Sequence, residues 1–103
     1  MQTTITARHC EISDELRERA RSVVERLSLL ARGPVEAAVV FGTDSGQQFV
    51  ELRLHLARGE WLVAHGEGDD HRTALDRAEE KLRRQLDKGS ARPRRSRDIQ
   101  PLG

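Results

Sequence analysis

Apolar residues recur at two different periods along this chain, and the switches between them divide it into six elements. In Asp70–Lys88, DHRTALDRAEEKLRRQLDK, Leu75, Ala78, Leu82 and Leu86 return to one face at about 100° per residue. That spacing predicts an amphipathic helix capped by Asp70. A second helical period begins after Ser13, a good N-cap followed by Asp14 and Glu15, which the helix dipole favours in a first turn. Its apolar face is Leu16, Ala20, Val23, Val24, Leu27 and Leu30. It runs to about Ala31, and Gly33-Pro34 stops it.

Elsewhere the period is two. Gln2–Ala7 alternates weakly and is rich in Thr, a strand with Thr3 and Ile5 inward. Val35–Gly42 is apolar on both faces except at Glu36, which suits a central strand. After the turn residues Thr43-Asp44-Ser45-Gly46, Gln48–Leu56 alternates cleanly. Val50, Leu52, Leu54 and Leu56 face in, while Phe49, Glu51, Arg53 and His55 face out. Ala57-Arg58-Gly59 makes a short hairpin connection. Glu60–Gly66 then places Leu62, Ala64 and Gly66 inward and Trp61, Val63 and His65 outward.

The order is therefore β-α-β-β-β-α. A crossover of this length makes the first two strands parallel, and the hairpins make the other pairs antiparallel. The fold class is α+β: a two-layer sandwich, with both helices on one face of a four-stranded mixed sheet. Residues 1–88 form the domain. Residues 89–103, with Pro93 and clustered Arg, read as a basic, disordered tail.

Charge sharpens this picture. The net charge of +1 conceals an asymmetry, since residues 88–103 hold five Lys/Arg and one Asp. A slightly acidic body with a basic end suits a polyanionic partner approached from one side. On the last helix Arg77, Lys81, Arg84 and Lys88 form a stripe roughly 135° around from the apolar face, pointing into water. No apolar run is long enough to span a membrane, and the N-terminus lacks a signal pattern, so a cytoplasmic location is expected. The lone Cys10 rules out an intrachain disulfide and fits a reducing compartment.

Catalytic signals are missing. His9, His55, His65, His71 and Cys10 show no CxxC, HxxxH or HExxH spacing. The glycines at 42, 46, 59, 66 and 68 read as turns or strand ends, and no phosphate loop is present. No enzyme activity, cofactor, metal or small-molecule substrate is expected. Phe49 and Trp61 could meet across the outer sheet face, where cross-strand packing explains them better than base stacking. Charge geometry thus favours phosphate-backbone contact over base reading.

Two stretches resemble a known family. MQTTITARHCEISDELRERA opens like the ribosome hibernation-promoting factors and ribosome-associated inhibitors, whose starts read as a strand, a basic or polar residue, then E-[IV]-T-x-x-[IL]-R. GEGDDHRTALDRAEEKLRRQLDK resembles their D-M-Y-x-A-I-D-x-x-x-x-K-L-x-R-Q-L-x-K, matching at Asp70, Ala74, Leu75, Asp76, Lys81, Leu82, Arg84, Gln85, Leu86 and Lys88. The chain departs at His71-Arg72, where the family has Met-Tyr, and at Leu29-Leu30-Ala31, where it has an aromatic pair.

The resemblance implies a fold close to that of double-stranded-RNA-binding domains. It implies binding to the small ribosomal subunit and its 16S rRNA in the decoding channel, blocking the mRNA and tRNA sites. The RNA-binding residues it implies are Arg8, Lys81, Arg84 and Lys88, then Arg17 and Arg26 on the first helix; Arg77 joins by helical spacing alone. Arg92, Arg94, Arg95 and Arg97 of the tail would add diffuse attraction. Longer relatives carry a dimerisation domain. Ending at Gly103, this chain reads as a short form without one. Two alternatives share these features: a structured-RNA binder acting away from the decoding site, and a protein-interaction module using the outer sheet face around Phe49, Trp61 and His65.

Overall fold

The computed structural model describes residues 1–91, and the tail arginines Arg92, Arg94, Arg95 and Arg97 lie outside them. The elements are β1 (Gln2–Ala7), α1 (Asp14–Ser28), β2 (Pro34–Asp44), β3 (Gln47–Leu56), β4 (Trp61–Gly68) and α2 (His71–Ala91). They form one four-stranded sheet in the order β1-β2-β3-β4. β1 pairs parallel with β2, and the other two pairings are antiparallel. Both helices pack on the same face, α1 over β1 and β2, α2 over β3 and β4. The expected fold class is the observed one.

The alternation sets the core. Val39, Phe41, Val50, Leu52 and Leu54 from the sheet meet Val23 and Leu27 of α1 and Leu75 and Leu82 of α2, all essentially inaccessible. Fully burying a side chain of this size contributes roughly 1.5–3 kcal/mol, so this set carries much of the stability. Both N-caps behave as their chemistry requires. Ser13 Oγ accepts from the Leu16 amide at 3.0 Å, and Asp70 Oδ1 accepts from the Thr73 amide at 2.7 Å.

The bond from the Thr73 amide, with a further contribution from its hydroxyl, holds the Asp70 carboxyl below its ordinary 3.8. A depressed carboxyl stabilises the fold above its unfolded-state value, and that contribution is lost as pH falls through the folded value. The difference in melting temperature between wild type and Asp70→Ala should therefore be full at neutral pH. It should shrink steadily below about pH 4, as read by thermal unfolding across a pH series.

Several local expectations are corrected. β2 and β3 extend to a two-residue turn, Ser45-Gly46, with φ of 51° and 82°. Two positive φ values mark a type I′ turn, whose twist matches that of the strands. α1 ends at Ser28, and Leu29, Leu30 and Ala31 continue only through tighter i→i−3 bonds. That rotates Leu30 off the apolar face, and Leu29 is 84% exposed. α2 continues past Lys88 to Ala91.

Gly42 and Gly66 sit inside strands rather than at turns or strand ends, each for a reason of space. The Phe49 ring lies over Gly42, where a Cβ would be 2.3 Å from a ring carbon. At Gly66 a Cβ would stand 2.3 Å from the Ala74 carbonyl oxygen and 2.5 Å from the Ala78 nitrogen. α2 thus rides directly on the β4 backbone, with the small residues Ala74 and Ala78 turned toward it.

Candidate nucleic-acid interface

β4 is an edge strand, so the backbone groups of Val63, His65 and Glu67 point away from β3. The flank of α2 lies beside them. Arg77 Nη1 donates to the Glu67 carbonyl at 2.7 Å, Lys81 Nζ to the His65 carbonyl at 2.8 Å, and Gln85 Nε2 to the Val63 carbonyl at 2.8 Å. The match is arithmetic. Four helical residues rise about 6.0 Å and two strand residues about 6.7 Å, so a side chain every fourth position meets every second carbonyl.

The stripe expected to stand in water is therefore only partly there. Arg77 and Lys81 are tied to the sheet edge, though each remains exposed. Arg84 pairs with Glu80 one turn back at 3.3 Å, in a bridge two-thirds exposed on both sides. Such a pair is weak and is readily exchanged for another anion. Lys88, also exposed, closes the line in the last turns of α2. Cations near a helix C-terminus complement its dipole.

The opposite flank of α2 faces α1. Arg19 Nη2 bonds Asp76 Oδ1 at 2.9 Å, and Arg26 Nη2 bonds Glu79 Oε2 at 3.0 Å. Arg83, one helical turn after Glu79, reaches the same oxygen at 3.1 Å. The sequence marks Arg26 as a candidate contact but gives no such role to Arg83 or Glu79. The i,i+4 spacing of Glu79 and Arg83 was the available signal, but it could not show that Arg26 arrives from another helix.

The seven expected RNA contacts do not form one patch. Arg77, Lys81, Arg84 and Lys88 follow the β4 flank of α2, while Arg26 lies in the seam between the helices. Arg17 is about 160° around α1 from Arg19, so it lies on the flank away from α2. Arg8 is exposed immediately after β1, its amide bonded to the Phe41 carbonyl. Near the start of both helices an open groove is lined by Ser13, Glu15, Leu16, Arg19, Asp70, His71 and Arg72. His71, at the family's Met position, is anchored inward. Its Nε2–H donates to the Gly42 carbonyl at 2.9 Å, and its ring stands edge-on to Phe41.

On the other face of the sheet, Phe49 and Trp61 do not meet. Trp61 stacks on His55 with ring centroids 4.4 Å apart, and Phe49 stacks on His65 at 5.3 Å. The register sets those partners, since Trp61 lies opposite His55 whereas Phe49 lies opposite Glu67. Among the described residues, no helix is long and apolar enough to cross a membrane.

A two-layer fold with basic side chains along its helices does not by itself name a function, so identity rests on the whole chain. Residues 3–94 match the model of the sigma 54 modulation protein / S30EA ribosomal protein family. The chain belongs to this family. The ribosome hibernation promoting factor of Pseudomonas putida is 32% identical over 88 residues, 85% of each chain. That of Azotobacter vinelandii is 30% identical over 86 residues, covering 84% of this chain and 79% of the relative.

Among solved structures, the N-terminal domain of Thermus thermophilus Protein Y superposes with a TM-score of 0.72 at 26% identity. The match covers 84% of this chain and 94% of that one. A ribosomal subunit interface protein from Coxiella burnetii gives a TM-score of 0.76 over 89% of this chain and all of the other. At 24% identity that likeness speaks for the fold alone.

Proposed function

We propose that this protein is a cytoplasmic ribosome hibernation factor that seats itself in the decoding channel of the small subunit. There it blocks the positions of messenger and tRNA. Its partner is the 16S rRNA, met through Arg8, Arg17, Arg26, Arg77, Lys81, Arg84 and Lys88, with the tail arginines adding diffuse attraction. The carrying observation is the line of four basic residues along the exposed β4 flank of α2, in a chain 32% identical to a ribosome hibernation promoting factor. A line of point charges on a rigid helix suits a phosphate backbone, which has charge at regular intervals but no sequence to read. The mechanism is occupancy, so it requires no catalytic group, metal or cofactor.

Two ligands that share one site must exclude each other. Added to a purified translation reaction, the protein should inhibit before elongation, and excess messenger should relieve the inhibition. Full simultaneous binding of messenger, initiator tRNA and this protein to one small subunit would overturn occlusion as the mechanism.

A further inference from the structure

The seam between the helices holds an arrangement that goes beyond the stripe. The Glu79 side chain is only 13% exposed, and a carboxylate so covered is costly unless paired and hydrogen-bonded. One arginine would suffice to neutralise it. Two converge, Arg26 from α1 and Arg83 from α2, on the same oxygen at 3.0 and 3.1 Å. Their side chains stay 58% and 48% exposed. Among the described residues neither guanidinium has a second acceptor, although each carries five N–H donors in a planar fork. The trio has a net charge of +1, with its surplus donors turned toward solvent.

We propose that Arg26 and Arg83 form a phosphate clasp on the α1/α2 seam, with Glu79 as the positioning residue that holds the two forks together. The ligand is a phosphodiester of the RNA backbone, a single negative charge that neutralises the trio. Arginine forks match phosphate geometry, and forks already fixed lose little freedom when the anion arrives. The clasp lies on the flank of α2 opposite Arg77, Lys81, Arg84 and Lys88. The exposed ridge of α2, which carries Glu80 and Asp87, would run between two lines of phosphate contact. This rests on the ribosome-binding reading and adds to it a second contact line and a residue, Arg83, that no resemblance supplies.

The test is affinity for purified small ribosomal subunits across a salt series, with circular dichroism to verify folding. Arg26→Ala with Arg83→Ala should lower the slope of log K against log salt by about one unit, the single phosphate the clasp neutralises, and Arg83→Ala alone by part of that. Arg83→Lys should restore the slope, since it restores the charge. Glu79→Gln should weaken binding several-fold even though it removes a negative charge, because the forks lose their common post. A folded double variant with the wild-type slope would overturn the clasp, and tighter binding by Glu79→Gln would overturn the positioning role. If wild type itself fails to bind small subunits, the ribosome reading falls and takes the clasp with it. If wild type binds and the double variant is unaffected, the clasp alone falls.

Discussion

Replacing Lys81, Arg84 and Lys88 together by glutamate is expected to abolish binding to the small subunit while leaving a folded protein. Each lost phosphate contact lowers the salt slope by about one unit, and each new carboxylate is repelled by the phosphates its predecessor attracted. The fold is not wholly indifferent to the change. Lys81 donates to the His65 carbonyl, so a carboxylate there would face an acceptor, and the carboxylate of Arg84→Glu would stand one turn from Glu80. Losing the Lys81 bond costs about 1 kcal/mol, and the like-charge pairs at positions 80/84 and 84/88 cost a few tenths of that each.

A glutamine triple separates the two effects. The amide of Lys81→Gln could still reach the His65 carbonyl, as Gln85 reaches Val63, while the slope should still fall by about three units. Arg58, exposed in the β3–β4 turn, is the suitable control for reversal. Arg19 is not, because its bond to Asp76 joins the two helices. Wild-type affinity in the folded glutamate triple would show the stripe to be a solvated face and edge cover only.

The largest effect on stability is expected at Gly66. An added methyl at Gly66→Ala would sit 2.3 Å from the Ala74 carbonyl oxygen and 2.5 Å from the Ala78 nitrogen, both backbone atoms of α2. No rotamer change relieves a clash with backbone, so the helix itself must lift from β4. Overpacking costs about 1–3 kcal/mol, and this case belongs at the upper end. For a chain of this size the melting temperature should drop by more than about 10 °C. Lifting α2 would also stretch the bonds from Arg77, Lys81 and Gln85 to the edge of β4, so RNA affinity should fall with stability. Thermal unfolding checks the first effect and small-subunit binding the second. A variant that melts like wild type would show that α2 can shift on the sheet without loss.

The existence and order of every element of the fold are legible in local chemistry. Alternation in Gln48–Leu56 names the buried face of β3, and the caps Ser13 and Asp70 name two helix starts. The parallel pairing of β1 with β2 followed from crossover length, and the antiparallel pairings from the hairpins. Sequence also separated basic from apolar positions on α2, since a helical wheel is fixed by about 100° per residue.

What the wheel could not provide was the neighbour of each flank. Arg77 and Lys81 read as solvent-facing, yet α2 lies along the outermost strand, and their donors fall where every second carbonyl of β4 is unpaired. Arg26 reads as an RNA-facing charge of α1, yet the same placement sets it against Glu79, as it sets Arg19 against Asp76. Gly66 read as a strand end, yet it is the point where the helix backbone touches the sheet. In each case the local pattern fixes a direction from one element's own axis. Only the packing of two elements decides whether that direction ends in water, on a carbonyl or against another charge.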